Sequence, residues 1–176
     1  MGVGKRREQH MVTVNGTSAE ERVVEMGLRL PEAPTPFGAY VPAVRTGRLL
    51  FLSGMLATSG HAVSVGGVLG RDVSVERGRE GARAAALNAL ALVRKELGSL
   101  DRVGRVVRVG VYVAATPEFT EHAKVADGAS ELLRDVLGAE RMASRLVIGA
   151  ASLPLGSVVE LEVILEVMEG SAPDVE

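Results

Sequence analysis

Arg145 and Glu160 are the residues of this sequence whose types and spacing point most clearly to chemistry. Arg145 opens the apolar stretch RLVIGAA, and Glu160 lies in an alternating stretch that follows a Leu-Pro turn at 153–156. If the two stretches pair as a hairpin, both side chains come to one end of a sheet. A guanidinium can hold a carboxylate through two hydrogen bonds, and a carboxylate can orient a water molecule. The pattern therefore predicts a site for a small carboxylic acid.

Both residues also have simpler interpretations. Taken alone, Arg145 is typical of a surface arginine at the edge of a strand. Glu160 is equally typical of a solvated strand position, because Glu162 and Glu166 follow at the same alternation. The residue types by themselves therefore leave both interpretations open.

The elements that would position these residues follow from periodicity. Apolar residues alternate through 159–167 and again through 106–113, which predicts strands. Tyr40–Val44 and Leu49–Ser53 flank a turn at Gly47 and predict a hairpin. Ser74 and Gly98 bound a long helix, and Thr116-Pro117-Glu118 predicts the start of another. The order β-β-α-β-α-β-β predicts an α+β fold with two main helices on one face of a mixed sheet.

Other segments carry less regular patterns. Residues 57–73 are rich in glycine and predict a flexible loop. We expect a disordered tail at 1–16, a single domain at 17–168 with an accessory helix at 18–27, and a second tail at 169–176. The length of 176 residues suits one domain with its own core.

Composition excludes several classes of function. The chain has no cysteine, so disulfides and thiolate chemistry are excluded, and its three histidines are too dispersed to predict a metal site. The formal net charge of −2 predicts no attraction to nucleic acid or anionic lipid. No apolar stretch is typical of a signal peptide or membrane span, so we expect a cytoplasmic protein.

Three segments resemble the reactive intermediate deaminase (Rid/YjgF) family: GAYVPAVRTGRLLFLSG at 38–54, SVERGREGARAAALNALALVRKELGSL at 74–100 and SRLVIGAASLPLG at 144–156. The resemblance covers roughly residues 20 to 168 in unbroken order, which is far more specific than one motif. It implies the chorismate-mutase-like α+β fold and a homotrimer whose sites lie in the clefts between subunits. It also implies an activity that uses no cofactor and no metal.

The resemblance assigns roles to individual residues. Arg145 matches the arginine that anchors the substrate carboxylate in the deaminating members. Glu160 matches a glutamate that positions the attacking water together with the backbone carbonyl two residues after the arginine, here that of Val147. The positions matching the rest of the substrate pocket are Tyr40, Ser53 and Gly54, although a tyrosine is by itself more often a packing residue.

Two positions depart from the family pattern. Met55 follows Ser53-Gly54 where the family often has glutamine, and Asp127 stands where the related subgroup often has asparagine. A carboxylate at 127 would repel an anionic substrate unless it is paired or caps a helix. The identity of the substrate is therefore left open by the sequence.

The resemblance implies hydrolysis of small 2-imino or 2-enamino acids to 2-keto acids and ammonia. The alternative is a trimeric protein that binds a small carboxylate or carbonyl metabolite without turnover, because a fold and an anchor can persist without chemistry. A third interpretation, ribonuclease or translation inhibitor, has little support because the chain has no basic and aromatic surface pattern.

Overall fold

A computed structural model describes residues 16–168, so the tails predicted at 1–16 and 169–176 lie outside the described residues except for residue 16. The chain begins with a short helix, α1 (Ala19–Glu25), as the sequence predicts. Ser18 Oγ accepts a hydrogen bond from the Glu21 N–H at 3.1 Å, and the Glu21 carboxylate accepts one from the Ser18 N–H at 2.8 Å. This reciprocal capping box explains where α1 starts.

An extended segment leads from α1 to the predicted hairpin of β1 (Ala43–Thr46) and β2 (Leu49–Leu52). Gly47 turns the chain between them with φ +56°, a conformation that favours glycine. Three short strands follow, β3 (Met55–Leu56), β4 (Thr58–Ser59) and β5 (Ala62–Val63). The prediction of a flexible loop over 57–73 is wrong, because β4 pairs with β5 and Leu69 is completely buried.

The long helix α2 (Val75–Leu97) has the predicted boundaries. Ser74 Oγ accepts a hydrogen bond from the Arg77 N–H, and Gly98 ends the helix with φ +78°. Its buried Asn88 donates hydrogen bonds to the carbonyls of Leu56 and Thr58 at 3.0 Å each. These bonds tie α2 to the chain at β3 and β4.

The remaining elements are β6 (Val103–Ala114), α3 (His122–Leu137), β7 (Ser144–Ala150) and β8 (Val159–Val167). The prediction that a helix starts at Thr116-Pro117 is wrong, because α3 begins only at His122. The Thr116 N–H instead donates to the Leu69 carbonyl at 2.9 Å. This bond holds the chain in an extended path beyond β6, so α3 cannot begin at Thr116.

The principal sheet has the strand order β1-β2-β8-β6-β7, with β3 also paired to β8. All pairs are antiparallel except β6 with β7. The predicted hairpin of the last two strands is wrong: α3 carries the chain back so that β7 lies parallel to β6, and β8 then inserts between β6 and β2. One strand therefore separates Arg145 from Glu160.

Helices α2 and α3 cover one face of this sheet, as predicted. Alanines on α2 let the helix approach the sheet closely, and Ala82, Ala85, Ala86 and Ala89 are each no more than 1% exposed. The opposite face, which we call the open face, carries exposed apolar side chains, including Val44, Phe51, Leu146 and Ile148. The core thus lies between the helices and the sheet, and the open face has no cover within the described chain.

Gly128 of α3 lies where α3 crosses α2, and a Cβ at this position would overlap the backbone carbonyl of Arg79. We expect Gly128→Ala to force the helices apart and to lower the free energy of unfolding by roughly 1–3 kcal/mol. Arg134→Ala, on the exposed side of α3, should change it by less than about 0.5 kcal/mol. Urea denaturation of both variants measures this, and equal effects would contradict the close helix crossing.

Candidate functional site

An open cleft of about 460 Å³ lies where the extended segment before β1 faces the start of β8. We call it the Glu160 cleft. Its lining includes Phe37, Tyr40, Ser53, Gly54, Leu155 and Glu160. Four residues predicted from the sequence, Tyr40, Ser53, Gly54 and Glu160, therefore meet in one place.

Glu160 lies on the open face of β8, in register with Leu56 of β3 and Tyr112 of β6. No side chain within residues 16–168 makes a hydrogen bond or ion pair with its carboxylate. Partial burial raises the pKa of Glu160 above its ordinary value, because desolvation disfavours the charged form. A carboxylate with a raised pKa and no side-chain partner is a stronger base than an ordinary glutamate and is suited to accept a proton.

Gly54 forms the floor beneath this carboxylate. A Cβ at position 54 would overlap Glu160 Oε1 and would lie 2.9 Å from Glu160 Cδ. A side chain at position 54 would therefore displace the Glu160 carboxylate from its observed position, whereas the φ of Gly54 places no demand for glycine. The sequence pattern Ser53-Gly54 thus reflects the position of Glu160.

Tyr40 and Ser53 fix the wall of the cleft. The Phe37 N–H donates to Tyr40 Oη at 3.1 Å, and Ser53 Oγ donates to the Val41 carbonyl at 2.7 Å. Tyr40 is 47% exposed, so it does not have the core-packing role that is common for tyrosine. Both side chains can also contact a ligand, since each reaches the cleft from the segment it stabilises.

Leu155 at the rim was not predicted as a site residue. Its φ of +58° is the only positive value among the described residues other than glycine. Such a conformation costs roughly 1–2 kcal/mol for an L-residue. The sequence Leu153-Pro154-Leu155-Gly156 indicated a turn there, but only the turn's conformation places this exposed side chain beside Glu160.

Arg145 lies elsewhere, at the start of β7 and in register with Val109 of β6. Its Nη1 donates to Asp127 Oδ1 at 2.7 Å and to Ser130 Oγ at 3.0 Å, both on α3. Asp127 also lies 4.0 Å from Nη1 of Arg79. The predicted Asp127 is therefore an ion-pairing residue inside α3 and does not cap that helix. Neither Arg79 nor Ser130 was predicted as a site residue.

Arg145 and Glu160 are on opposite faces of the sheet in one chain. Directly paired residues share a face, so Arg145 shares the helix face with the buried Val109, and Glu160 shares the open face with Tyr112. The sequence-based expectation that a hairpin would bring the two together is wrong for the single chain. One small ligand cannot contact both side chains of the same chain.

The Val147 carbonyl lies on the same strand as Arg145. The Ala150 carbonyl accepts a hydrogen bond from the Ala115 N–H at 3.0 Å, so it points toward the β6 side. Carbonyl directions alternate along a strand, and those of Arg145 and Val147 therefore point to the free edge of β7. This carbonyl is available to a water or ligand beside the guanidinium.

Within residues 16–168, no group of three or more His, Asp or Glu side chains is placed to hold a metal ion. In the same range, none of the helices combines the length and apolar character that a membrane span needs.

Comparison with known proteins identifies the family. A family described as "YjgF/chorismate_mutase-like, putative endoribonuclease" matches residues 20–167. Protein TCP17 of Trypanosoma cruzi is 39% identical over 142 residues, which cover 80% of this chain and 89% of that protein. The crystal structure of Atu1372 from Agrobacterium tumefaciens, a protein with unknown function, is 38% identical with a TM-score of 0.79. The match covers 85% of this chain and 92% of that chain. A crystal structure from Shewanella oneidensis, described as "a putative endoribonuclease", is 31% identical with a TM-score of 0.81. The match covers 85% of this chain and 99% of that chain. The chain belongs to the YjgF/chorismate-mutase-like, or Rid, family.

Proposed function

We propose that this protein hydrolyses small 2-imino or 2-enamino acids to 2-keto acids and ammonia. The observation that carries the proposal is the state of Glu160, whose carboxylate has no side-chain partner among the described residues and whose pKa is raised by burial. It lies in a cleft large enough for a ligand of a few carbons. Membership of the Rid family is consistent with such an activity.

The proposed site combines residues of two chains. Arg145 and Glu160 occupy opposite faces of one sheet, so a single small ligand can contact both only if the two residues come from different copies. The exposed apolar side chains of the open face, such as Phe51, Leu146 and Ile148, favour such an assembly because their burial against another copy stabilises it. We propose a homotrimer with three equivalent clefts.

In this arrangement Arg145 of one copy holds the substrate carboxylate. Glu160 of the neighbouring copy and the Val147 carbonyl beside Arg145 orient a water molecule toward the C2 atom of the imine. The water oxygen forms a bond to C2 of the protonated imine as Glu160 accepts one of the water protons. Glu160 passes this proton to the nitrogen of the tetrahedral adduct, and the C–N bond then breaks and releases ammonia. The hydroxyl gives its proton to Glu160 as it becomes the keto group, and Glu160 releases that proton to water or to the departing ammonia.

The alternative function is binding of a small carboxylate without turnover. The ion pair between Arg145 and Asp127 is present in the ligand-free chain, so a ligand carboxylate must share the guanidinium with Asp127 under either function. Both functions predict that 2-keto acids bind. They differ only in whether the imine disappears faster than it does in water.

A coupled assay separates the two functions. Threonine dehydratase or an amino-acid oxidase generates 2-imino acids in situ, and the release of 2-keto acid is followed with and without the purified protein. We expect faster keto acid release for at least one amino acid, and the effect should be almost entirely lost in Glu160→Gln. If no amino acid gives an acceleration over buffer, the binding function replaces the proposed one.

A second experiment tests whether each site uses two chains. Arg145→Ala and Glu160→Gln should each lose nearly all of their activity. Trimers co-expressed from both variants should regain about a quarter of the wild-type activity, because each of the two chains at a cleft then supplies the intact residue in half of the cases. Sedimentation should give one species of three chains at micromolar concentration. Absence of any recovery in confirmed mixed trimers, or a stable active monomer, would contradict the shared site.

A further inference from the structure

The proposed carboxylate anchor, Arg145, belongs to a group of four charged side chains. Arg145 donates to Asp127 at 2.7 Å, Asp127 lies 4.0 Å from Arg79, and Arg79 Nη2 donates to Glu131 at 2.6 Å. We call this group of Arg79, Asp127, Glu131 and Arg145 the α3 charge cluster. It contains two cations and two anions, so its formal charge is zero.

We propose that Asp127 is a specificity-determining residue, which makes the site prefer zwitterionic 2-iminio and 2-amino acids to the corresponding 2-keto acids. The inference rests on the proposed role of Arg145 as the carboxylate anchor. It assigns a substrate charge state to that site.

The hydrogen-bond pattern leaves room for a ligand beside Asp127. Only Nη1 of Arg145 donates to Asp127 and Ser130, and no described residue accepts from its Nη2 or Nε. A ligand carboxylate can therefore bind the open side of the guanidinium while Asp127 keeps its own hydrogen bond. The two carboxylates then share one cation at close range.

The charge balance decides which ligands this arrangement favours. A 2-keto acid brings one negative charge into a neutral cluster, and its carboxylate is repelled by Asp127. A ligand with a protonated nitrogen beside its carboxylate keeps the cluster neutral, and its cation is attracted to Asp127. Arg145 is 28% exposed and Asp127 is 41% exposed as side chains, so water reduces these forces without abolishing them.

The same preference assists turnover in the proposed reaction. The substrate, as the protonated imine, is a zwitterion, whereas the product is an anion that has lost the cationic nitrogen. Asp127 therefore repels the product more strongly than the substrate. Release of the 2-keto acid is favoured as soon as ammonia has left.

The test compares two ligands with the same carbon skeleton, 2-aminobutanoate and 2-oxobutanoate, by isothermal titration calorimetry. The wild-type protein should bind 2-aminobutanoate more tightly. Asp127→Asn keeps the shape of the side chain but removes its charge, so it should shift the ratio of the two Kd values by about tenfold toward 2-oxobutanoate. Asp135→Asn, on the same helix but paired only with its neighbour Arg134, is the matched control and should leave the ratio unchanged.

Arg79→Gln provides an independent variant with the opposite expectation. It leaves Asp127 with less compensation, so the ratio should move several-fold further toward 2-aminobutanoate. A merely structural role of Asp127 would alter both Kd values equally in either variant. An unchanged ratio in the folded variants, or a wild-type preference for 2-oxobutanoate, would overturn the inference.

Failure of this inference can be distinguished from failure of the proposed anchor. If Arg145→Ala abolishes binding of both ligands while Asp127→Asn leaves their ratio unchanged, only the role of Asp127 is overturned. If Arg145→Ala retains both affinities as a folded trimer, the anchor itself is wrong and the inference is overturned with it.

Discussion

Arg145→Ala should weaken binding of 2-keto acids by roughly 2–5 kcal/mol, because it removes a charged contact from a partly enclosed site and leaves the ligand carboxylate unpaired. KM should rise and kcat/KM should fall, since the anchor holds the substrate in the ground state and the transition state alike. Titration calorimetry with 2-oxobutanoate and steady-state kinetics of the coupled assay measure both effects.

The lysine variant distinguishes geometry from charge. Arg145→Lys should not restore the lost affinity, because an ammonium lacks the fork that reaches Asp127 and the ligand together. Arg45→Ala is the matched control, since Arg45 lies on β1 at the other edge of the sheet and its side chain donates only to the Gly47 carbonyl of its own turn. Wild-type affinity in a folded Arg145→Ala trimer would show that the carboxylate is held elsewhere.

Glu160→Gln should lower kcat by about 100-fold to 10,000-fold with little change in KM, which is the range for loss of a general base. The amide keeps the shape of the side chain over Gly54 but cannot accept a proton. In the wild type, kcat should fall as the pH decreases through the raised pKa of Glu160. The residual activity of the variant should lack this acidic limb, and a pH profile that keeps it would assign the limb to another group.

The thermal stability of Glu160→Gln should rise at pH 7, although its kcat falls. Because the folded-state pKa of Glu160 is raised, the folded protein binds this proton more tightly than the unfolded chain. The stabilisation is fully present below the ordinary pKa of glutamate and is lost as the pH rises through the folded-state value. Glu160→Gln should therefore raise Tm slightly at pH 7, an effect kept small by the partial exposure of the carboxylate. The difference should disappear in acid.

Local structure could be predicted from the sequence wherever neighbouring residues determine it. Ser18 and Ser74 each cap a helix, and Gly98 ends one, because these side chains act within a few residues of their own position. Alternation along 159–167 identified the buried face of β8 correctly. The α+β class and the family followed from the order of such segments.

The strand order could not be predicted because it depends on contacts far apart in sequence. The turn at 153–156 is typical of a hairpin, yet the chain crosses β6 before β8 begins. The two faces of β7 were equally hard to distinguish, since Leu146 and Ile148 are apolar but exposed while Arg145 lies on the helix face. The sequence therefore identified the candidate residues but did not show that Arg145 and Glu160 lie on opposite faces of the sheet.

The position of β8 in the sheet has a consequence for synthesis. It is the last strand of the sheet in chain order, yet β2, β3 and β6 all pair with it. A nascent chain that has emerged only through β7 therefore has the pairs β1–β2 and β6–β7 and the single strand β3, all with unpaired edges. We infer that the sheet closes late, after residues 159–167 leave the ribosome, and that closure depends on contacts of large sequence separation. Because Glu160 lies on this strand, the carboxylate that we propose as the base reaches its cleft in the same step that completes the fold.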